Sequence, residues 1–396
     1  MKNKLPEGWK EVELGEVINL KGGYAFKSQE FVTEGIPIIR ISNFNNNEVD
    51  LSDVVYYPKE ELENYKAFLL KEKDILIAMS GATTGKIGIV TNKSVPSLLN
   101  QRVGKLDIIN KEILQQYLLV FVKSKSFQEE VFRIASGCAQ PNISAKQIES
   151  IKIPLPPLPT QQKIVSTLEK AEKAKEWRKE ADELTKDFLK AVFMEMFGDE
   201  NKFEISKLGD IARLTMGGTP STSVKEYWDN GNINWMKSGD IKGDFIYSVP
   251  NRITKSGLDN SNTEVYPIGT VVIALNGQGK TRGTTTILKL NTTSNQSVAG
   301  ILLDKNKSLS EYVHYNLKLR YQELRNLTGD NERSGLNLTI LRNLSIILPP
   351  LPLQQKFASI VKEVESMKEY QKHSKEQIDN LFNALMQKAF KGEIYV

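Results

Sequence analysis

A chain of 396 residues with 40% hydrophobic content can bury the cores of two or three domains. Its 53 Lys and Arg against 48 Asp and Glu leave a net charge of +5 without a polybasic arm, so an anionic ligand must meet a patch assembled by folding. The single cysteine, Cys138, excludes an internal disulfide, and two distant histidines, His314 and His373, cannot build a zinc site. No stretch of about 18 apolar residues occurs and the first residues carry no apolar signal core, so no membrane span is expected and a reducing cytoplasm fits.

Residues 1–153 read as the first globular unit. Residues 13–20 (ELGEVINL) alternate loosely and run to a turn signal at Gly22 and Gly23. Residues 36–41 (IPIIRI) and 74–79 (DILIAM) are short, β-rich and closed by polar or glycine residues, the pattern of buried strands. Residues 112–132 mix apolar and charged positions at helical spacing. Strands and helices that do not strictly alternate predict an α+β unit.

Residues 156–164 then read PPLPTQQKI, and residues 349–357 read PPLPLQQKF, an offset of 193 (349 less 156). At that offset Gln161 and Gln162 map to Gln354 and Gln355, and Phe188, Ala191 and Phe197 map to Leu381, Ala384 and Phe390. A repeat of nearly half the chain means two tandem copies of one unit. Proline suits the start of a helix, so each PPLP run predicts a rigid entry to a helical segment, over 154–198 and again over 349–396. In the first, expected to be helical from 160 to 197, Ile164, Leu168 and Ala171, then Ala181, Leu184, Phe188 and Ala191, follow a coiled-coil seam interrupted by Lys175. The second carries Phe357, Val361 and Val364, then Ile378, Leu381 and Leu385. A helix of about 38 residues is about 57 Å long. Two such narrow stripes bury each other most simply as an antiparallel pair, with Gly198 and Gly392 as expected C-terminal caps.

Residues 199–348 repeat the order of the first unit with different residues between the anchors. Residues 208–211 match 14–17, Gly217 and Gly218 match Gly22 and Gly23, and 233–241 match 36–44, which aligns Lys237 with Arg40. Residues 270–277 match 74–81, Asn295 and Gln296 match Asn100 and Gln101, and 337–339 match 142–144. One scaffold carrying two different surfaces is the expected result.

Two dissimilar α/β units alternating with two PPLPxQQ-led helices resemble the specificity subunit of type I restriction–modification enzymes, over essentially the whole chain. The duplicated helix starts, the LG(D/E)-to-GG openings and the SGATTGK stretch at 80–86 carry the resemblance. It implies an α+β fold of two target recognition domains separated by a long antiparallel two-helix coiled coil. Each domain would read one half of a bipartite duplex DNA target. The helices would act as spacers and dock two adenine methyltransferase subunits, with Gln161, Gln162, Gln354 and Gln355 marking the docking positions. A restriction–translocase subunit would complete the enzyme. Methyl donor and ATP would bind those partners, and this chain would hold no cofactor and catalyse nothing. A self-contained DNA-modifying enzyme and a scaffold that binds no DNA are the alternatives.

Within that frame, loops at strand ends are where a rigid scaffold places binding groups. Arg40, Ser42 and Asn43 follow the first strand, and Lys237, Ser238 and Asp240 follow its counterpart. Arginine and lysine suit guanine edges or phosphates, and asparagine and glutamine suit adenine. Lys86, Gln101, Lys280, Arg282 and Gln296 complete the expected DNA contacts. The glycine-bearing loops at 81–86 and 277–281 lack the P-loop pattern, because Ile87 follows the first lysine and Ala274 stands at the leading position of the second. Tyr24 and Trp235 are read as packing residues. Asp229 and Asp240 faintly resemble a nuclease pattern, but residues 43–45 of the first unit carry no acid, so Asp240 is read as a loop or DNA-contact residue. Cys138 is read as a structural or loop thiol rather than a nucleophile.

Overall fold

The computed structural model describes residues 5–136, 141–277, 279–327 and 335–394, and Cys138 lies outside them. The chain divides into two compact units, Met1–Arg178 with Ser374–Val396, and Lys179–His373. Among the described residues, the first unit has a six-stranded mixed sheet in the order Ile18–Gly22, Val103–Ile108, Ile75–Ala78, Ile87–Ile89, Glu48–Val49 and Phe44–Asn45. A smaller sheet sets Ile36–Ile39 between Val55–Tyr57 and a parallel neighbour, Leu98–Leu99, while Lys10–Glu13 pairs with Lys152–Leu155. The second unit follows the same plan. Its larger sheet runs Ala212–Met216, Val298–Leu303, Val271–Ala274, Thr285–Leu288 and Phe245–Ile246. Its smaller sheet sets Ile233–Met236 between Asn251–Ile253 and Thr293–Ser294, and Glu204–Lys207 pairs with Ser345–Leu348. The β-rich runs expected as buried strands are strands, and Ile75–Ala78 and Val271–Ala274 are buried at every position, as a central strand covered on both faces must be. The helical stretch 112–132 is broken at Ser124, whose hydroxyl accepts the Phe127 N–H and starts a second helix, so Gln115–Lys123 is followed by Lys125–Ala135.

Equivalent hydrogen bonds define the repeat more sharply than the sequence does. Leu14 N–H donates to Ile151 O at 2.8 Å, and Leu208 N–H to Leu344 O at 2.9 Å. Gly23 N–H donates to Val103 O at 3.2 Å, and Gly217 N–H to Val298 O at 3.1 Å. Gly217 therefore stands for Gly23, one residue away from the alignment of the glycine pairs. A Cβ would lie 2.3 Å from Leu99 O at Gly23 and 2.1 Å from Ser294 Oγ at Gly217, so both positions require glycine. Ser144 and Asn337 likewise correspond, here two residues off the sequence match: each accepts an N–H of the next turn and caps a short helix, Ala145–Glu149 or Leu338–Arg342.

The long helices span Leu158–Phe197 and Leu351–Ala389, each starting inside its PPLP run. In the second unit Gln371 Nε2 donates to Thr185 Oγ1 at 2.7 Å and the Phe193 and Phe357 rings lie 5.3 Å apart. Residue numbers rise along one helix as their partners' numbers fall along the other, so the pair is antiparallel. In the first unit Lys175 sits in the seam, 3.0 Å from Asp379 Oδ1 and 4.6 Å from the centre of the Phe382 ring. The expected seam is displaced by one residue in the second unit. Leu184 and Phe188 are 66% and 50% exposed and Ala191 is exposed, whereas Thr185, Leu189 and Phe193 are buried. The reason is that this half-helix packs on its α/β layer as well as on its partner helix: Leu189, Phe193 and Phe197 join a core with Leu208, Tyr312 and Phe357. In the first unit Leu381 is likewise exposed, with Phe382 turned inward instead. Gly392 adopts the left-handed cap conformation with φ of 70°, whereas Gly198 does not and simply extends the helical bonding to Met194 O at 2.8 Å.

The first glutamine of each QQ pair is an internal bracket. Gln161 accepts Leu114 N–H at 2.8 Å and donates to Glu112 O at 2.7 Å and Pro156 O at 2.8 Å. Gln354 accepts Leu309 N–H at 2.9 Å and Ser308 Oγ–H at 3.0 Å, and donates to Lys307 O at 3.2 Å and Pro349 O at 2.7 Å. Each joins the entry of a long helix to the start of a core helix, Gln115–Lys123 or Ser310–Leu319. Both are 0% exposed, which corrects the expectation that they face a partner; Gln162 and Gln355 are the exposed members. We predict that Gln161→Ala, by removing the partner of three backbone groups that are buried or part-buried, lowers unfolding stability by about 1–3 kcal/mol, whereas Gln162→Ala changes it by less than about 0.5 kcal/mol. Urea denaturation measures both, and equal effects would contradict the bracket.

Asp244 anchors the second unit to its long helix. Its carboxylate accepts from His314 Nε2 at 3.1 Å, Tyr315 O–H at 3.1 Å and Lys368 Nζ at 3.1 Å, and pairs with Lys318. Burial alone would raise the Asp244 pKa, but these donors and cations hold it far below the usual carboxylate range. Burial pushes His314 down, against the pull of Asp244. Both depressed groups contribute stability that is present above their unfolded values and is lost on acidification. The loss begins below about pH 6.5 for His314 and below about pH 4 for Asp244. His314→Gln should flatten the upper part of that acid limb in urea unfolding measured against pH, and an unchanged slope would contradict it.

Candidate nucleic-acid interface

In the first unit three strands of the larger sheet end on one side. Gly22 pairs with Gly104, and Ala78 pairs with Val103, so the loops leaving Gly22, leaving Ala78 and entering Val103 are neighbours. The smaller sheet is tied to the same side. Asn100 N–H donates to Ile39 O at 3.2 Å, Gln101 N–H to Tyr24 O at 2.9 Å, and Met79 N–H to Arg102 O at 2.9 Å. A Cβ on Gly81 would touch Ile41 Cδ1 at 3.5 Å, which sets the turn after Arg40 against the 79–86 loop. Arg40, Ser42, Lys86 and Gln101 therefore belong to loops at one end of the unit.

The second unit repeats this arrangement. Met216 pairs with Ala299 and Ala274 with Val298, and Asn295 N–H donates to Met236 O at 2.9 Å. Lys237, Ser238, Lys280, Arg282 and Gln296 share the corresponding end. Gln296 accepts from Thr219 Oγ1, just after the glycine pair, and Lys237 Nζ lies 5.6 Å from the centre of the Trp235 ring. Lys86, Gln101, Lys237, Lys280 and Gln296 are exposed, and Arg40, Ser238 and Arg282 are half-buried.

Asn43 departs from its expected role. It is 2% exposed, its Oδ1 accepts Arg40 N–H at 2.9 Å, and its Nδ2 donates to Asp53 O at 3.0 Å. Asp240 does the same work in the second unit, accepting Lys237 N–H at 2.7 Å. A carboxylate and an amide alternate there because the turn needs only an acceptor oxygen. Asp240 is thus a turn-closing residue, within the loop where the sequence places it. Lys86 and Lys280 are not counterparts. Ala78 N–H donates to Lys86 O, and Ala274 N–H to Thr284 O, so Thr284 takes the place of Lys86. Trp235 is buried and donates Nε1–H to Gly218 O at 3.0 Å, a packing role, while Tyr24 is half-exposed at the loop end of a ring cluster with Phe26, Tyr65 and Phe68. Two residues went unnoticed in sequence. Ser80 Oγ and Thr83 Oγ1, like Arg40 Nε, are enclosed at this end without a hydrogen-bond partner among the described residues. Their only sequence signal was membership of the SGATTGK stretch.

The type I restriction modification DNA specificity domain matches residues 6–185 and 200–380. The chain belongs to this family of type I restriction–modification specificity subunits. It is 32% identical over 187 residues to the MjaVIII specificity subunit of Methanocaldococcus jannaschii, a match that spans 46% of this chain and 44% of that one. It is 32% identical over 169 residues to the EcoAI specificity subunit of Escherichia coli, covering 42% of this chain and 28% of the relative. These two matches span less than half of each relative's length. The StySPI specificity subunit of Salmonella potsdam matches at 24% identity over 99% of this chain and 90% of its own length. Among solved structures, a chain from work on assembly and conformational transition of the type I R-M system has a TM-score of 0.69 at 19% identity, covering 99% of this chain and 100% of that one. The HsdS subunit of Thermoanaerobacter tengcongensis has a TM-score of 0.55 at 18% identity, covering 99% of each chain. Among the described residues no helix is long and apolar enough to cross a membrane.

The specificity-subunit fold also accounts for one arrangement that looks catalytic. Thr285 Oγ1, His314 and Asp244 stand in hydrogen-bonded line, the order of a hydrolase relay, with 3.0 Å from Thr285 Oγ1 to His314 Nδ1. Thr285 and His314 are buried in the core, and Asp244 is shared with Lys318 and Lys368, so the line packs the unit rather than meeting a substrate. For the turn beside Lys237, we predict that Asp240→Asn preserves stability to within about 0.5 kcal/mol, whereas Asp240→Ala costs about 1 kcal/mol. Urea unfolding decides it, and an Asn variant as unstable as the Ala variant would mean that the charge matters.

Proposed function

We propose that this specificity subunit reads an asymmetric duplex DNA sequence in two parts, one part by each unit. The observation that carries the reading is the loop clustering: the same strand ends gather loops in both units, and those loops carry different side chains. Two non-identical readers give an asymmetric target, unlike the palindrome read by a symmetric dimer. Arg40, Ser42, Lys86 and Gln101 would serve one half, and Lys237, Ser238, Lys280, Arg282 and Gln296 the other. Some would meet base edges and others phosphates. With a net charge of only +5, affinity would rest on these local cations and fall steeply with salt.

The long helices would set the distance between the half-sequences and dock two copies of an adenine methyltransferase, with restriction–translocase subunits joining the full complex. Exposed groups duplicated at the 193-residue offset support a partner present twice. Gln162 and Gln355 are one such pair, and Trp177 with Tyr370 and Phe188 with Leu381 are apolar ones. Surface residues this large and apolar suit burial by another chain. Methyl transfer and cleavage would belong to the partners.

Two outcomes are expected from methylome sequencing of cells carrying this chain with its methyltransferase. Exchanging residues 1–153 for those of another family member should change one half of the methylated sequence and leave the other, and a change in both halves would defeat the modular reading. Removing seven residues from both helices keeps the heptad face and shortens each by about 10 Å, or roughly three base pairs of gap. An unaltered gap would mean that the helices do not set spacing.

A further inference from the structure

Each loop that follows the central strand is held from behind by a helix that lies later in the chain. The necks are alike. Gly85 N–H donates to Ala78 O at 2.8 Å, Gly283 N–H to Ala274 O at 2.9 Å, and φ is 86° and 83° at the two glycines. Behind the first neck stands Gln128 of helix Lys125–Ala135, whose Nε2 donates to Gly85 O at 2.9 Å and to Val122 O at 2.7 Å. Behind the second stands helix Tyr321–Asn326. Tyr321 O–H donates to Lys280 O at 2.8 Å. Arg325 Nη1 donates to Gly279 O at 2.8 Å and to Tyr321 Oη at 3.1 Å, and its guanidinium lies 5.5 Å from the centre of the Tyr321 ring.

Apart from the Gln128 bond to Val122 O, these bonds run to backbone carbonyls of the loop or between the clamping side chains. They fix the loop's path whatever side chains the loop displays. That separation suits a reader whose contacts differ between units while its frame is kept: the first loop shows Ala82, Thr83 and Thr84, the second Lys280, Thr281 and Arg282. Bidentate base recognition tolerates little displacement, so a loop free to move would discriminate poorly.

We propose that Gln128 in the first unit, and Tyr321 and Arg325 in the second, are positioning residues for sequence recognition, each unit's clamp acting on its own half of the target. Arg325 acts here through one guanidinium nitrogen, Nη1, which reaches Gly279 O, Arg282 O and Tyr321 Oη, and not as a phosphate-binding charge. The inference rests on the DNA-reading function proposed above.

The test is methylome sequencing of cells carrying the chain with its methyltransferase, with unmodified chain, Gln128→Ala, Tyr321→Phe, Arg325→Met and Arg325→Lys compared. The second-unit variants should lower discrimination at one or more positions of one half by about tenfold and leave the other half as it was. Gln128→Ala should do the reverse. Arg325→Lys should relax the sequence as Arg325→Met does, because the lysine ammonium ends one bond short of the Nη1 position that holds the loop carbonyls. A phosphate contact would instead leave Arg325→Lys fully discriminating, which would overturn the assignment. So would unchanged discrimination, or equal relaxation of both halves, in variants whose thermal unfolding midpoint matches the unmodified chain. If Arg325→Met does not fold, Tyr321→Phe decides, since it removes a single hydroxyl. Failure of the unmodified chain to direct methylation to any two-part sequence would instead count against the DNA-reading function itself.

Discussion

Each unit depends on a two-residue parallel pairing that ties its small sheet to the ends of its large one. Ile38 and Ile39 pair with Leu98 and Leu99 in the first unit, and Trp235 and Met236 with Thr293 and Ser294 in the second. Such short pairs contribute few hydrogen bonds, and the Asn100 and Asn295 N–H groups extend each by one more. Without this pairing the turns after Arg40 and Lys237 would have no fixed relation to the loops after Ala78 and Ala274. The glycine requirement at Gly23 and Gly217 follows from it, because a third chain segment passes against the same two residues.

The electrostatic character of the molecule is local. Many cations are already engaged: Lys105 with Asp74 and Asp107, Lys368 with Asp244 and Glu365, Arg320 with Glu323. Of these, the Arg320–Glu323 pair is the more exposed kind that adds little stability, whereas Lys105 and Asp244 are largely buried. The first unit's central loop carries one cation, Lys86, beside three hydroxyl residues and the second's carries two cations, Lys280 and Arg282, so the two readers differ in chemistry while sharing a frame.

The repeat, the buried strands, the helix entries and the antiparallel pairing were legible in sequence, because each is written in apolar periodicity or in proline. The seam in the second unit was off by one residue. Leu184 and Phe188 lie beside Leu189 and Phe193 on adjacent stripes, and only the α/β layer decides which stripe turns inward. Gln161 and Asn43 were misplaced for a related reason: a polar side chain reads as surface until the backbone groups that need it are known. The counterpart of Lys86 could not be read from sequence, because glycine spacing in a loop does not fix register, whereas the strand hydrogen bonds place Thr284 there. The clamps at Gln128, Tyr321 and Arg325 left no signal, since each lies about forty residues from the loop carbonyls it holds.

Hydroxyl-radical footprinting of the assembled methyltransferase complex, with and without its target duplex, tests the account most directly. Bound DNA should protect the turns after Arg40 and Lys237, the loops at 79–86 and 275–284, and the segments at 101–102 and 295–297. Protection confined to the opposite ends of the sheets, around 71–74 and 267–270, or to one unit alone, would contradict the assignment of these loop clusters as the two reading surfaces.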